Sequence, residues 1–463
     1  MNELRERVAH NVRHLVQWAT SIQADQIPPQ VMARAARIWA DDMAAMIGAR
    51  DEPELASFHR HMLAQTRPQE ATVWRGGAHR TDRISAAVAN AVATNWLELD
   101  EGYRPTPCHA GLYVLPALLS EAETSSLSCK ELLRALVLGY EIVTRIARAW
   151  TVEAVIMQSH GRYGAVGAAA GAGLARRFDA DTLVAALGGA ATLIGPAPRN
   201  HLTEGALIRN AWPASGAWNG LMALEWASCG MGGIAAGFFD VYSTVLGGQA
   251  QPDRLLAQLG ENWAVQEGYT KIYACCQHLH SAVEAALELR ASHPEVGVPG
   301  QIESIEVHTH SLALPLVNAQ PHSTLGAKFS MPHAMAAALV MGEAGAGAFN
   351  AQSLADPAIA PLRSRVSTMA WSPELPPPND RPARVTVRLQ GGRHFSAECL
   401  SASGGPDRPL PQDVWMDKMR SLAEPAYPGI TDIFSQIVAG DEGRLAQHWP
   451  ALVREICQGA AQA

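Results

Sequence analysis

The sequence predicts a mainly α-helical fold, in which a large all-helical domain is interrupted by a smaller α+β domain. From the start to about residue 265, Ala, Leu and Gly recur at helical spacing and strand-like alternation is nearly absent. After about residue 295 a period-two alternation appears, and helical periodicity returns from about Pro411 to the end. Helices and strands that follow one another in blocks argue against a doubly wound sheet.

Two helices of the first region are marked by their starts. Ser128 and Glu131 form a capping box before LLRALVLGYEIVTRIARAW. Another helix begins near Asp179 or Asp181 and stops at Pro196. Between them, SHGRYGAVGAAAGAGLARR carries small residues at three- and four-residue spacing, a pattern that favours close helix packing over phosphate binding because no strand precedes it.

The strands come later in the chain. QIESIEVHTH alternates apolar and polar residues, as a half-buried strand does, and RVTVRLQGGRHFSAECL predicts a hairpin with a two-residue turn at Gly391 and Gly392. Helices are predicted over 278–292 and 331–343. We therefore assign residues 268–408 to the α+β domain, and residues 1–267 plus 409–463 to the helical domain.

Composition excludes several classes of function. The chain has 463 residues, 17% of them charged, a formal net charge of −8 and no run of like charges, which argues against nucleic acid as a partner. The N-terminus lacks the apolar core of a secretion signal, and the bland stretch 164–175 is too short to span a bilayer. Seven cysteines without a CxxC pair do not suggest a disulfide framework or a zinc site. We expect a cytoplasmic protein with no membrane association.

The segment WLELDEGYRPTPCHAGLYVLP carries the most concentrated chemistry. Glu98, Asp100 and Glu101 precede His109, within an otherwise apolar region. Two prolines and a glycine between the acids and the histidine forbid one continuous helix, so a turn can bring Glu98 or Asp100 back to His109. A carboxylate that polarises a histidine is what proton transfer requires. The alternative is an acidic loop followed by a histidine that caps the next helix.

Two cationic side chains could anchor carboxylates. Lys271 lies just before a helix that carries His280, close to unpaired amide donors, although a lysine at a domain boundary is most often just solvated. Arg209 stands in a Gly- and Trp-rich stretch, and its guanidinium suits a polycarboxylate as well as a structural ion pair.

Further polar residues stand at predicted helix starts. Gln158 and His160 lie just ahead of or at the start of the glycine-rich helix, and His333 follows Ser330 as a plausible cap. His308 and His310 share one face of a strand, but without a third ligand nearby no metal site is predicted.

Taken in order, these segments resemble the MmgE/PrpD family over roughly residues 10 to 450. LELDEGY…CHAG…LPALLSEAE matches an acidic run followed by a His-Pro-Ser, KIYACCQHLHSAVEAAL matches a Lys-x-Tyr-Pro-x-Cys…His motif, and AKFSMPHAMAAAL matches a Lys-Phe-Ser-x-x-Tyr motif. The family includes 2-methylcitrate dehydratase, cis-aconitate decarboxylase and iminodisuccinate epimerase. The resemblance implies a helical domain with a smaller α+β lid domain, a homodimer, and no cofactor.

The resemblance also implies site residues. The family's acid and histidine pair falls on Glu98 or Asp100 and His109, its lid lysine on Lys271, and the next histidine on His280. At three positions the chain departs from the family: Gln158 replaces a histidine, which leaves His160 displaced by two residues; Arg209 replaces a lysine; and His333 replaces a tyrosine.

These residues predict an enzyme that acts on a small di- or tricarboxylate. Arg209 and Lys271 would anchor carboxylates, His109 would remove a proton next to a carboxylate, and His333 or His160 would act as the acid. Dehydration of a 2-methylcitrate-like hydroxy acid is the leading expectation; epimerisation and decarboxylation at the same site are the alternatives. A carboxylate-binding protein without catalysis is the alternative of another class. An iron–sulfur hydratase is disfavoured because the cysteines lack cluster spacing.

Overall fold

The structure, a computed structural model, describes residues 2–151 and 156–461. Its longer helices are α1 (Asn2–Ser21), α2 (Pro29–Gly48), α3 (Pro53–Leu63), α4 (Arg83–Trp96), α5 (Ala110–Thr124), α6 (Cys129–Arg148), α7 (Ser159–Ala175), α8 (Ala180–Thr192), α9 (Trp212–Ser228), α10 (His280–Ser292), α11 (Met331–Met341), α12 (Gln412–Ala423), α13 (Ile430–Val438) and α14 (Trp449–Ala461). Its strands are β1 (Ala71–Val73), β2 (His79–Thr81), β3 (Gly102–Tyr103), β4 (Trp150–Thr151), β5 (Gln249–Ala250), β6 (Gly268–Tyr269), β7 (Ile302–Thr309), β8 (Val366–Ala370), β9 (Ala383–Leu389) and β10 (His394–Cys399). The predicted mainly α-helical class is confirmed.

The glycine-rich helix α7 lies at the centre of the helical part and packs against α5, α6 and α9. Its small residues allow this close approach, because a Cβ on Gly167 would lie 2.5 Å from the Cβ of Tyr113 on α5. The predicted starts of the neighbouring helices are also present. Ser128 Oγ accepts a hydrogen bond from the Glu131 amide at the start of α6, and Asp179 caps α8 in the same way.

A four-stranded sheet of order β10-β9-β7-β8 forms in the later part of the chain. The strands β10 and β7 both pair antiparallel with β9, while β8 joins the other edge of β7 in parallel. Helix α10 packs on β9 and β10, and α11 packs on α10 and β8. The hairpin lies where it was predicted, but residues 390–393 connect β9 to β10, so the two-residue turn was wrong. Strand β8 was not predicted, since its sequence VSTMA does not alternate.

The first region is not all-helical, which corrects the prediction. Strands β1 and β2 form a small hairpin, and two more short antiparallel ladders join β3 to β6 and β4 to β5. These strands have two or three residues each, too few for a period-two pattern to be recognised. The β3–β6 ladder matters most, because it brings the segment after the acidic motif alongside the segment that leads to Lys271.

The C-terminal helices return to the first part of the chain, where α12 and α13 both pack on α2. The division into residues 1–267 plus 409–463 and residues 268–408 stays a prediction. Among the described residues, no helix combines the length and the apolar character that crossing a membrane requires.

Candidate active site

The acidic turn, residues 97–101, connects α4 to β3 and carries the predicted carboxylates. Glu98 has a φ of 55°, in the left-handed region that non-glycine residues seldom occupy. Its side chain is 3% exposed. A strained backbone and a buried carboxylate both cost free energy, so the surrounding structure must hold this turn in place.

Two cations form ion pairs with the carboxylate of Glu98. Arg209 Nη1 lies 2.5 Å from Glu98 Oε1, and Lys271 Nζ lies 3.4 Å from Glu98 Oε2. Lys271 Nζ also lies 3.4 Å from Asp100 Oδ1, so one ammonium group bridges both acids. Burial would lower the pKa of Lys271, but Asp100 and Glu98 raise it above its usual value, and the ammonium form is retained.

Two further lysines hold the backbone of the same turn and of Trp96, which directly precedes it. Lys328 Nζ donates to the carbonyl oxygen of Trp96 at 2.9 Å. Lys418 Nζ, from the C-terminal helix α12, donates to the carbonyl oxygen of Leu99 at 2.7 Å and to Asp41 Oδ1 at 2.5 Å. The acidic turn is therefore fixed from two sides by groups that are distant in sequence.

His109 and Asp100 form the predicted acid–histidine pair. His109 Nδ1 lies 2.7 Å from Asp100 Oδ2 and 2.9 Å from the carbonyl oxygen of Glu101. Both partners can only accept a hydrogen bond, so Nδ1 carries the proton and Nε2 is left as the proton acceptor of the neutral ring. Although burial would raise the pKa of Asp100, the charges of Lys271 and His109 hold it below its usual range. An ionised Asp100 stabilises the imidazolium that forms when Nε2 takes up a proton.

His109 lines a cavity whose walls come from both parts of the chain. Of the predicted residues, Glu98, His109, Gln158, Arg209 and Lys271 line this cavity. The pairing of β3 with β6 explains how the first part of the chain reaches the second. The ring of Tyr269 takes the space beside Gly102, where a Cβ would lie 2.2 Å from it.

Gln158 and His160 take different positions around α7. Gln158 caps this helix by accepting a hydrogen bond from the His160 amide at 3.0 Å, and it also faces the cavity. His160 is fully buried and its ring lies 5.0 Å from that of His109, with its Nδ1 2.9 Å from the hydroxyl of Tyr113. Burial, followed by the charges of Arg209 and His109, holds the pKa of His160 well below its usual value. His160 therefore supports the ring of His109 as a neutral group.

The structure places His333 outside the cavity that His109 lines. Its Nδ1 accepts a hydrogen bond from Arg363 Nε at 3.1 Å, and its Nε2 donates to the carbonyl oxygen of Ala348 at 2.9 Å. Both ring nitrogens are thus used inside the α+β part, and His333 does not line the cavity. Ser330 caps α11 through the His333 amide, so the predicted helix start is present, while the predicted role of His333 as the acid finds no support in its position.

His280 is also displaced from the cavity. It is buried at the start of α10, where its Nε2 lies 3.1 Å from the carbonyl oxygen of Cys275 and its ring stacks edge-on against Tyr273. Burial, and then the charge of Lys271, lowers the pKa of His280 to about 3. His280 holds the segment that carries Lys271, instead of binding a ligand directly.

Several residues that line the cavity were missed in the sequence. They are Tyr103, Ser159, Arg199, Tyr269, Cys276, Gln277, His278, Phe329 and Arg381. Most belong to no recognisable pattern. Arg199 and Arg381 each follow a proline-containing connection, in GPAPR and PPPNDR, and arginines in such loops of a weakly charged chain are the one signal that could have found them.

Metal ligation finds no support in the part of the chain that the structure describes. Within residues 2–151 and 156–461, no three His, Cys, Asp or Glu side chains converge as a metal site requires.

Comparison with known proteins gives matches over most of the chain. Residues 13–246 match the model of the MmgE/PrpD N-terminal domain, and residues 273–438 match that of the MmgE/PrpD C-terminal domain. The chain is 25% identical over 435 residues to a cis-aconitate decarboxylase-like protein, oryM, of Aspergillus oryzae, covering 88% of this chain and 89% of that protein. It is also 25% identical over 444 residues to a cis-aconitate decarboxylase of Aspergillus terreus, covering 88% of each.

Proposed function

The chain belongs to the MmgE/PrpD family, and on this premise we propose that it is a cofactor-independent lyase that acts on a small polycarboxylate by proton transfer at His109 Nε2. The observation that carries the proposal is the Asp100–His109 pair at the wall of a cavity that Arg209 and Lys271 also line. Fixed positive charge next to a proton carrier suits a reaction whose transition state develops negative charge on carbon.

Within this class we propose decarboxylation of a cis-aconitate-like tricarboxylate as the leading reaction. Of two relatives that each match 88% of this chain, one is named a cis-aconitate decarboxylase and the other a cis-aconitate decarboxylase-like protein. Breaking the bond to a carboxylate releases carbon dioxide and leaves its electron pair delocalised over the conjugated acid. His109 Nε2, which takes up a proton from solvent before the substrate reacts, then donates this proton to carbon and completes the product. One proton carrier suffices for this sequence.

Dehydration of a 2-methylcitrate-like hydroxy acid, the expectation from sequence, needs a base for the carbon and an acid for the leaving hydroxyl. His333, which the sequence suggested as that acid, lies outside the cavity. Because dehydration needs an acid besides His109 and decarboxylation does not, the position of His333 favours decarboxylation over dehydration. Epimerisation needs proton donors on both faces of the reacting carbon and ranks lower for the same reason.

The arrangement of the two domains is also part of the proposal. We propose that residues 268–408 form a lid domain over the helical domain of residues 1–267 plus 409–463. The ion pair between Arg104 and Asp380, at 2.6 Å, and the placement of Lys271 beside Glu98 support a closed position of this lid.

A homodimer is part of the same proposal. Large apolar side chains are exposed between residues 156 and 245, among them Ile156 at 76%, Val245 at 74% and Met231 at 65%. A contiguous apolar surface typically marks a contact with another protein, and these side chains would contribute to one. We propose that it faces a second copy in a cytoplasmic dimer, and sedimentation of the purified chain measures this directly.

The test of the function is a carboxylate panel. Purified protein is incubated with cis-aconitate, citrate, 2-methylcitrate and iminodisuccinate, and each solution is followed by proton NMR. We expect carbon dioxide loss from cis-aconitate in the wild type, none in His109→Gln, and full activity in the matched control His308→Gln, which changes a half-buried histidine of β7 outside the cavity. If no compound reacts and none exchanges solvent deuterium, the proposal fails, and binding of these compounds without turnover would favour the carboxylate-binding alternative.

A further inference from the structure

We infer that Arg199 and Arg381 form a second carboxylate subsite in the cavity, separate from the Arg209–Lys271 pair, and that the substrate carries one carboxylate for this subsite and another at the reacting position near His109. The inference rests on the proposed function and deepens it, because it specifies how many charged groups the substrate presents. All four cations line the same cavity.

The two pairs of cations lie in different surroundings. Arg209 and Lys271 are neighbours of the buried His160, whose pKa is lowered by burial first and by Arg209 next. Arg381 Nη1 donates to Oε1 of Gln277, the residue directly before His278, and burial followed by the charge of Arg381 lowers the pKa of His278, to which Arg199 also contributes. The cavity thus has one cationic group beside the Asp100–His109 pair and another around His278.

The first group is already neutralised by the protein. Arg209 pairs with Glu98, and Lys271 bridges Glu98 and Asp100, so two cations face two carboxylates. Both cations have side chains that are 1% exposed. They hold the acidic turn in place and supply a fixed field at His109, with no excess of charge to offer a ligand.

The second group has more positive than negative charge. Arg104 and Arg381 share the single carboxylate of Asp380, at 2.6 Å and 3.8 Å respectively. Arg199 has no ion-pair or side-chain hydrogen-bond partner among residues 2–151 and 156–461. With His278 neutral, the described residues leave two positive charges without a carboxylate in this part of the cavity. Unbalanced cations in a partly buried site favour an anionic ligand.

Hydrogen bonds fix the guanidinium of Arg381 in a position to bind such a ligand. Its side chain is 11% exposed, its Nη1 donates to Gln277 Oε1, and its Nη2 donates to the carbonyl oxygen of Arg104 at 3.2 Å. Its Nε is buried and lacks a hydrogen-bond partner among the described residues. Burial, and then repulsion from Arg104, lowers the pKa of Arg381 to about 10. A ligand carboxylate at this place would supply the missing counter-charge.

The consequence concerns substrate class. A ligand with one carboxylate can satisfy either the reacting position near His109 or the second subsite. A di- or tricarboxylate reaches both, and binding at the second subsite fixes which of its carbons faces His109 Nε2. Arg199 and Arg381 would therefore determine specificity and the position of the reacting carbon, while they take no part in proton transfer.

The test measures binding apart from turnover. The probe is tricarballylate, a saturated tricarboxylate that cannot form the conjugated product. Its affinity is measured by isothermal titration calorimetry for the wild type, Arg199→Gln and Arg199→Lys. The control is Arg388→Gln, which changes an exposed arginine of the α+β part. We expect the Kd to rise about tenfold or more in Arg199→Gln, as the loss of one charge-assisted contact predicts. Arg199→Lys should recover part of this affinity, and Arg388→Gln should equal the wild type.

Butyrate gives the second comparison. Its weak binding should change little in Arg199→Gln, because a single carboxylate does not need both subsites. With the substrate found in the panel, Arg381→Gln should also weaken substrate binding, so that its KM rises by a larger factor than its kcat falls. Equal tricarballylate affinity in the wild type and Arg199→Gln overturns the subsite, even where the panel finds a His109-dependent reaction. Tight tricarballylate binding that depends on Arg199 supports the subsite even if no panel compound is turned over.

Discussion

Glu98 shows how much of the site is decided by single residues. It is a non-glycine residue with a φ of 55°, and its carboxylate meets Arg209 and Lys271 in a buried position. The acids and His109 could be recognised from sequence, because charged residues are rare in this chain. The sequence could not show which acid pairs with His109, because the spacing allowed either Glu98 or Asp100. The geometry places Asp100 on the imidazole and Glu98 on the cations.

His333 provides a residue-scale prediction, because burial lowers its pKa from 6.5 to about 4. Between these pH values the unfolded chain binds a proton at this position and the folded chain does not. The stability that the neutral ring contributes is therefore lost as the pH falls through this window. In His333→Gln this loss is absent, so the gap in unfolding free energy between wild type and variant should narrow by roughly 2 kcal/mol from pH 7.5 to pH 5.

Urea unfolding of the wild type and His333→Gln at pH 7.5 and pH 5 measures this difference in unfolding free energy. The variant should also keep the wild-type kcat. If the unfolding free energies of the wild type and His333→Gln depend on pH in the same way, or if kcat falls strongly in the variant, His333 is not the structural residue described above.

At the scale of elements, long periodic segments were predictable and short ones were not. The helix starts at Ser128, Asp179 and Ser330 follow from capping residues that act within one turn. The β3–β6 ladder depends instead on contacts between residues more than 160 positions apart, and its strands have two residues each. No local pattern specifies such a pairing, although it joins the two walls of the cavity.

Packing of α7 against α5 leads to an element-scale prediction. A Cβ at position 167 would lie 2.5 Å from Tyr113 Cβ on the helix that begins after His109. Gly167→Ala should therefore destabilise the fold by about 1–3 kcal/mol, although helix propensity by itself favours alanine by about 1 kcal/mol. Gly300→Ala, with no atom within 4 Å of the added Cβ, is the control and should change stability little. Denaturant midpoints decide the question, and equal midpoints for the two variants would contradict the close packing.

Across the whole molecule, the site is assembled from segments that lie far apart in sequence. The acidic turn receives Arg209 from the middle of the chain, Lys271 and Lys328 from the α+β part, and Lys418 from the C-terminal helix α12. Sequence alone indicated the blocks of the fold and the charged residues within them. It could not indicate Lys418 or Lys328 as supports of the turn, because each contacts a backbone carbonyl that carries no signature in sequence.

Lys418 gives the prediction at this scale. Lys418→Gln removes the partner of the buried Asp41 and the donor to the Leu99 carbonyl. We expect a loss of about 3–5 kcal/mol in unfolding free energy, the usual cost of leaving one member of a buried ion pair without its partner. The activity should fall as well, because Asp100 follows Leu99 directly. Lys130→Gln, at an exposed lysine, is the control. Wild-type stability in Lys418→Gln would show that α12 does not support the site.

The central claim is that His109, held by Asp100, carries the proton in a decarboxylation. The most direct test follows cis-aconitate in D2O by proton NMR with the wild type, Asp100→Asn and His109→Gln. The account predicts that the wild type releases carbon dioxide and places one deuterium on carbon, while both variants stay folded and react at least about a hundredfold more slowly. Deuterium incorporation at the wild-type rate in His109→Gln would contradict it.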